Sequence, residues 1–246
     1  MMNPSQVTLR SVVSGLIVVC TAALITSGTL VAGATSGADA LVRLKAGNAR
    51  FVANPREPLP IDAARRAAQA DGQAPFATVL SCADARVPPE VVFHAGLGEL
   101  FVVRALGNVT DRAILGSVEH AVERLHTPLV VVMGHESCDV VKLAAETPAG
   151  QATGPNLDYL LSALRPSLAA YAGKPEAERL RGAVLDNVEE SLNDMITGSA
   201  VLRDAGDKGT VTFVGAYYEL SSGRVYFSEP VALGPVAEPR LQGEHH

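Results

Sequence analysis

Three short runs of apolar residues constrain the fold of this chain more than any other feature of its sequence. They are FATVL at 76–80, LFVV at 100–103 and LVVV at 129–132. None of them alternates apolar with polar residues, and continuously apolar strands are typical of a parallel sheet covered on both faces. Apolar residues at helical spacing over 112–125 predict a crossover helix between the second and third strands. We therefore expect an α/β fold with a central, mostly parallel β-sheet flanked by helices.

Helical patterns precede and follow this region. Helices are predicted over 38–53, 61–70, 157–171 and 176–196. Near the end of the chain, apolar stretches at 211–220 and 225–227 flank a Ser-Ser-Gly-Arg turn, which predicts a β-hairpin. No linker rich in Pro, Gly and Ser divides the chain, so we expect one domain.

Composition and charge narrow the class of protein. Of the 246 residues, 48% are hydrophobic, which excludes a disordered chain. The chain has 26 acidic and 20 basic residues, a formal net charge of −6, and no block of lysines or arginines. It lacks the basic surface of a nucleic-acid-binding protein, so we expect no nucleic-acid partner.

The first forty residues are of a different kind. Residues 12–25 form an apolar run, and no charged side chain lies between Arg10 and Asp39. Two triplets with a small residue at each end follow this run, at 32–34 and 38–40. A preceding arginine, a short apolar run and such triplets are together typical of a secretory signal peptide.

We therefore expect residues 1–34 to be a signal peptide that is cleaved near residue 34 or 40. The mature protein would then be exported to the periplasm, with no membrane partner. The alternative is an uncleaved membrane anchor through residues 11–34, because that stretch is long enough to span a bilayer. The exported part keeps Cys82 and Cys138, which in an oxidising compartment could form a structural disulfide.

Residues able to bind a metal follow two of the apolar runs. Cys82 comes just after the first run, and His135 and Cys138 come just after the third. The carboxyl ends of parallel strands meet at one edge of a sheet, where open α/β sheets build their sites. At the opening of a helix, His135 and Cys138 would project from the same side. One imidazole and two thiolates suit tetrahedral Zn²⁺ with an open fourth position, as in a catalytic site.

Spacing alone leaves three interpretations of the two cysteines open: a zinc site, a Cys82–Cys138 disulfide, or two unrelated buried thiols. Asp84 and Arg86 lie beside Cys82. A structural disulfide does not require a charged pair beside it, so the presence of Asp84 and Arg86 favours the zinc site.

Several segments resemble the beta-class carbonic anhydrases. They are CADAR, RVPPE, GELFVVR, GN, SVEHAVE, PLVVVMGHESC and GAYYEL, in order along the chain. The resemblance covers residues 40–230 and implies one catalytic domain there, followed by a C-terminal tail at 231–246. It also implies a homodimer or homotetramer built on the parallel sheet, with the N-terminal helices packed on the partner subunit.

The resemblance also assigns roles to individual residues. The implied Zn²⁺ ligands are Cys82, His135 and Cys138. Asp84 and Arg86 would form a catalytic dyad, and Asp84 could also become a fourth zinc ligand in a closed state. Gln73 would hydrogen-bond the substrate, and Phe101 would line the apolar pocket that admits it.

The implied activity is the zinc-dependent, reversible hydration of carbon dioxide to bicarbonate and a proton, the reaction of a carbonate dehydratase, which is a lyase. Arg86 would keep Asp84 ionised, so that its carboxylate orients the nucleophile toward the substrate carbon. Two other functions could use the same residues. One is hydrolysis of carbonyl sulfide or carbon disulfide, and the other is a non-catalytic zinc- or bicarbonate-binding module.

Four positions depart from the family pattern, namely Ala85, His94, His120 and Asp139. None of them is an implied ligand or dyad residue. Asp139 replaces a glycine and would add negative charge close to where bicarbonate forms. His120 replaces a tyrosine and could either transfer protons or pack as an ordinary partly buried side chain.

Overall fold

The computed structural model describes residues 35–148 and 150–233. The predicted signal peptide or anchor at 1–34 lies outside these residues, as does most of the predicted tail. Across the described ranges, every helix is too short or too polar to cross a membrane.

The described residues form a five-stranded β-sheet. Its strands are β1 (Ala77–Ser81), β2 (Leu100–Arg104), β3 (Leu129–His135), β4 (Thr212–Tyr218) and β5 (Val225–Phe227). Their order across the sheet is β2-β1-β3-β4-β5. The first four strands run parallel, and β5 pairs antiparallel with β4. The predicted, mostly parallel sheet and its terminal hairpin are confirmed.

Helices cover the sheet. They are α1 (Gly37–Ala53), α2 (Ala63–Ala68), α3 (Pro89–Val92), α4 (Arg112–Glu123), α5 (Asp139–Glu146), α6 (Pro155–Ala169), α7 (Glu176–Gly198) and α8 (Ala200–Asp207). The predicted crossover helix is α4. α3 and α8 have no counterpart among the predicted helices. α8 is separated from α7 only by Ser199, whose side chain caps it by accepting a hydrogen bond from the Leu202 N–H group (3.2 Å).

Both faces of the sheet are covered, which explains why its strands consist mainly of apolar residues. α1 and α3 pack on one face, where Val79 and Met133 are fully buried. α4, α7 and α8 pack on the other, where Leu80 and Val132 are fully buried. Because the strands are parallel, their carboxyl ends lie at one edge, which α5 and α6 adjoin.

The two N-terminal helices differ in how they pack. Ser36 caps α1 through a capping box with Asp39, and Leu44 of α1 is fully buried in the domain core. α2 has no buried residue. Its Arg65 side chain joins it to the rest of the domain by donating a hydrogen bond to the Leu97 carbonyl (2.8 Å). α1 therefore packs on its own chain, and packing of these helices on a partner subunit stays a prediction.

The domain continues into the segment predicted as the start of the tail. The Val231 N–H group donates to the Phe213 carbonyl (2.9 Å). Leu233 packs against the apolar cluster that includes Phe213. Residues 231–233 therefore belong to the packed domain.

Candidate metal centre

The expected zinc ligands lie together at the carboxyl edge of the sheet. Cys82 directly follows β1, His135 is the last residue of β3, and Cys138 immediately precedes α5. Their ligand atoms all lie within 4.8 Å of one another, and all three residues are buried. β1 and β3 are parallel neighbours, so the shared edge brings the three side chains together.

His135 reaches this cluster from a strand. The expectation that His135 and Cys138 share the opening of a helix is therefore wrong, because α5 begins only at Asp139. Between the two ligands the chain turns at Ser137, whose φ is +52°. This turn, instead of helical periodicity, places the two ligand atoms on the same side.

The glycine before His135 leaves space for α7. A Cβ atom at Gly134 would lie 2.6 Å from Val184 Cγ1 and 2.8 Å from Val188 Cγ2, both on α7. Any side chain here would push α7 away from β3. The absence of a side chain thus lets α7 pack closely beside the strand end that carries His135.

His135 is held in the tautomer that a metal ligand needs. Its Nδ1 lies 2.9 Å from the backbone carbonyl of Glu136, and a carbonyl only accepts, so we assign the ring proton to Nδ1. Nε2 then carries a lone pair, and it is buried with no hydrogen-bond partner among the described residues. Such an unpaired, buried acceptor is costly unless a cation binds it. Together with two thiols it fits the donor set of Zn²⁺.

The two cysteines are free thiols in this structure and do not form the alternative disulfide. Cys82 Sγ accepts hydrogen bonds from the N–H groups of Gly107 (3.2 Å) and Asp84 (3.4 Å). The hydrogen bond from Cys138 and those from these two amides lower the pKa of Cys82. The same hydrogen bond and burial raise the pKa of Cys138. The two amide donors favour the thiolate form of Cys82, which is the form that binds metal.

Asp84 and Arg86 form an ion pair beside the cluster. Arg86 donates from Nε to Asp84 Oδ1 (2.9 Å) and from Nη2 to Asp84 Oδ2 (2.6 Å). This guanidinium lowers the pKa of Asp84 to about 2, so the carboxylate is ionised at neutral pH. Asp84 Oδ2 lies 4.0 Å from His135 Nε2. The expected dyad thus adjoins the ligand cluster, with Asp84 bonded to Arg86.

Arg104 also shapes this edge, a role not predicted from the sequence. It is the last residue of β2 and donates from Nε to the Cys82 carbonyl (2.9 Å) and from Nη2 to the Asp84 carbonyl (2.5 Å). It therefore holds the loop that carries one ligand and the dyad acid. The signal that could have found it is its place at the carboxyl end of a strand parallel to β1, in register with Ser81.

The two expected substrate residues are not part of this cluster. Gln73 is exposed and precedes β1, whereas Cys82 follows it, so the length of the strand separates them. Phe101 lies in β2, in the apolar cluster under α4, with its ring centre 6.2 Å from that of His120. Contacts of Gln73 and Phe101 with substrate stay predictions.

The remaining departures from the family pattern lie at different places. Ala85 is exposed between the dyad residues. His94 is buried, and its Nε2 lies 3.4 Å from Glu57 Oε1. Asp139 Oδ1 lies 3.7 Å from Arg86 Nη2, so Asp139 is the departure that contacts the dyad.

Comparison with known proteins identifies the family. A family model described as carbonic anhydrase matches residues 77–225. Carbonic anhydrase 2 of Mycobacterium tuberculosis (strain CDC 1551 / Oshkosh) is 35% identical over 189 residues, which cover 76% of this chain and 91% of that protein. The carbonic anhydrase of Mycolicibacterium smegmatis is 38% identical over 185 residues, covering 74% and 88%.

Solved structures agree with these relatives. The Coccomyxa beta-carbonic anhydrase in complex with acetazolamide aligns with a TM-score of 0.64 at 25% identity, covering 70% of this chain and 80% of that chain. One of two tetrameric beta-carbonic anhydrases from Sordaria macrospora aligns with a TM-score of 0.61 at 23% identity, covering 78% and 98%. The fold is that of the beta-carbonic anhydrases, and the chain belongs to the carbonic anhydrase family.

Proposed function

We propose that this chain catalyses the reversible hydration of carbon dioxide to bicarbonate and a proton, with Zn²⁺ held by Cys82, His135 and Cys138. The observation that carries the proposal is the buried, unpaired Nε2 of His135, within 4.8 Å of two free thiols in a member of the carbonic anhydrase family. When bound, zinc supplies a Lewis acid that makes water nucleophilic near neutral pH.

Asp84 orients the nucleophile in this proposal. The side chain of Arg86 and its backbone N–H group (2.8 Å) hold the Asp84 carboxylate ionised and in one orientation. An ionised carboxylate only accepts, so Oδ2 can take a hydrogen bond from water at the centre and direct its lone pair at the substrate carbon. In a closed state, an Asp84 carboxylate released from Arg86 could be a fourth ligand beside Cys82, His135 and Cys138.

A stopped-flow assay of carbon dioxide hydration on the zinc-loaded protein tests this function, with carbonyl sulfide and carbon disulfide as competing substrates. We expect hydration of carbon dioxide that is lost in Cys82→Ser together with the zinc. Turnover of carbonyl sulfide or carbon disulfide without turnover of carbon dioxide would show that the sulfur compound is the substrate. Stoichiometric zinc with no turnover of any of these substrates would show that the chain is a non-catalytic binding module.

The proposed active form is a homodimer or homotetramer in which a second copy completes the substrate pocket. Two observations support this: Gln73 lies beyond the amino end of β1, and β2, which carries Phe101, is an edge strand of the sheet. Mixing inactive Gln73→Ala and Cys82→Ser chains should restore activity, since one site of the mixed dimer has both residues intact. A monomer in analytical ultracentrifugation, or no gain on mixing, would refute the shared site.

Export is proposed because an apolar run at 12–25 is followed by small-x-small triplets at 32–34 and 38–40. The first helix of the domain is capped by Ser36, just beyond the first triplet. N-terminal sequencing of protein from the periplasmic fraction should find a start near residue 35. Intact Met1 chains in the membrane fraction would favour the anchor through residues 11–34.

A further inference from the structure

We propose that Asp139 adds a negative electrostatic potential beside the Asp84–Arg86 pair and thereby weakens the binding of bicarbonate and other monovalent anions at this centre. The inference rests on the proposed function. Asp139 is the first residue of α5 and directly follows the ligand Cys138. Its carboxylate approaches Arg86 Nη2 to 3.7 Å, and its side chain is 85% exposed.

Arg86 cannot neutralise two carboxylates. Its Nη2 already donates to Asp84 Oδ2 (2.6 Å) and to the Ser137 carbonyl (3.1 Å), and the Asp84–Arg86 pair has no net charge. The other guanidinium at this edge, Arg104, keeps its positive charge because it donates to the neutral carbonyls of Cys82 and Asp84, but it makes no ion pair with Asp139 among the described residues. The charge of Asp139 therefore adds a negative potential where an anion approaches the ligand cluster.

The contact with Arg86 is too long and too exposed for Asp139 to anchor the fold, because ion pairs of this kind stabilise little. Its field acts differently on the two sides of the reaction. Bicarbonate is an anion and is repelled, whereas carbon dioxide is uncharged and feels no comparable force. A unit charge at roughly 7 Å in a watery surrounding changes anion affinity by about threefold. Asp139 is thus a residue that favours release of the charged product.

The matched control is Glu146, at the other end of the same helix. It is exposed and pairs with Lys142, and seven residues of helix place it about 10 Å from Asp139. Glu146→Gln removes the same charge from the same helix. Asp139→Asn removes the charge next to Arg86, and Asp139→Glu retains it.

The primary measurement is the dissociation constant of thiocyanate, a monovalent anion that binds metals, for the zinc-loaded proteins by calorimetry. At an ionic strength of about 0.01 M we expect Asp139→Asn to bind about threefold more tightly than wild type, and the difference to shrink at about 0.15 M. Asp139→Glu should resemble wild type, and Glu146→Gln should not change. The KM for bicarbonate should fall in Asp139→Asn by more than the KM for carbon dioxide.

Equal thiocyanate affinity in Asp139→Asn and Glu146→Gln, or no thiocyanate binding by any of the proteins, would overturn the inference. So would an equal change in the KM values for bicarbonate and carbon dioxide, since a general disturbance of the site has that effect. A wild-type protein that binds thiocyanate in an Asp139-dependent way but does not hydrate carbon dioxide would refute only the proposed function.

Discussion

Asp84 is the side chain whose replacement should separate metal binding from turnover. It lies beside the ligand cluster but bonds to Arg86, so it is not needed to hold the metal. Asp84→Asn should keep one zinc per chain and lower kcat/KM by roughly a hundredfold, the scale of losing one positioned catalytic group. Elemental analysis and stopped-flow kinetics measure the two effects.

Asp158 offers the matched control for that substitution. Its pKa is also lowered, by hydrogen bonds from Thr153, but it lies on α6 and is half-buried. Asp158→Asn should retain wild-type turnover. If Asp84→Asn and Asp158→Asn were equally active, the dyad would have no catalytic role.

The ionisation of Asp84 should not shape the activity profile near neutral pH. Its pKa is about 2 in the folded chain, against an ordinary value of 3.8, because Arg86 stabilises the charged form. A carboxyl with a lowered pKa stabilises the fold above its unfolded value, and this stabilisation is lost as the pH falls through about 2. In a ¹³C NMR titration, the Asp84 carboxyl should therefore titrate below about pH 3, and in Arg86→Ala nearer 3.8. A midpoint above about 5 in wild type would contradict this assignment.

At the level of residues, the sequence predicts the grouping of Cys82, His135 and Cys138, whereas the substrate contacts stay predictions. Cys82 and His135 follow buried strands, and parallel strands have to end at a common edge. Gln73 precedes β1, whereas Cys82 follows it, so the two residues lie at opposite ends of this strand in one chain. Whether Gln73 lies near the ligand cluster of a second chain depends on how the chains assemble. Arg104 was not predicted because a basic residue ending a strand is common, and only the register shows which carbonyls it reaches.

Among the elements, the contact of α7 with β3 sets the position of His135. Gly134→Ala should destabilise the domain by about 1–3 kcal/mol, the usual cost of overpacking a core, because its Cβ meets Val184 and Val188 on α7. Gly215→Ala is the control, since its Cβ would meet Val188 Cγ1 at 3.0 Å and needs less adjustment. Urea denaturation of both variants measures the difference. A Gly134→Ala variant no less stable than Gly215→Ala would show that α7 can shift freely.

The end of β2 should matter for metal affinity. Arg104→Ala removes both donors to the Cys82 and Asp84 carbonyls, and loss of such outer-shell support typically weakens metal binding by about 10- to 100-fold. Competition with a chromophoric chelator measures the zinc affinity. Arg50→Ala, an exposed substitution at the end of α1, should leave it unchanged. An unaltered zinc affinity in Arg104→Ala would mean that the loop containing Cys82 and Asp84 keeps its conformation without these hydrogen bonds.

The strands were predictable because both of their faces are buried and they therefore consist mainly of apolar residues. α8 was not predictable as a separate helix. Nothing in the sequence after the helix predicted over 176–196 marks a new helix clearly, and the boundary between α7 and α8 depends on the cap that Ser199 provides. The spacing of His135 and Cys138 suggested a helix because residues three apart project from the same side of a helix. The turn at Ser137 places the two ligand atoms on the same side as well. Short ligand spacings therefore predict proximity better than they predict secondary structure.

For the whole molecule, the position of α1 distinguishes the two expected cleavage sites. Cleavage near residue 34 leaves Ser36 and Asp39, each of whose side chains accepts a hydrogen bond from the other's backbone N–H group. Cleavage near residue 40 removes this capping box and also Ala40, which is fully buried. The domain should therefore tolerate the first cleavage better than the second.

We expect a chain that starts at Thr35 to be more stable than one that starts at Leu41. Loss of an N-cap costs about 1 kcal/mol, and the first turn of α1 with its buried Ala40 is lost as well, so a difference of about 1–3 kcal/mol should appear in urea denaturation. Ser36→Ala in the longer chain isolates the part due to the cap. Equal stability of the two truncated chains would mean that the first turn of α1 contributes nothing, and cleavage near residue 40 would then be as compatible with the fold as cleavage near residue 34.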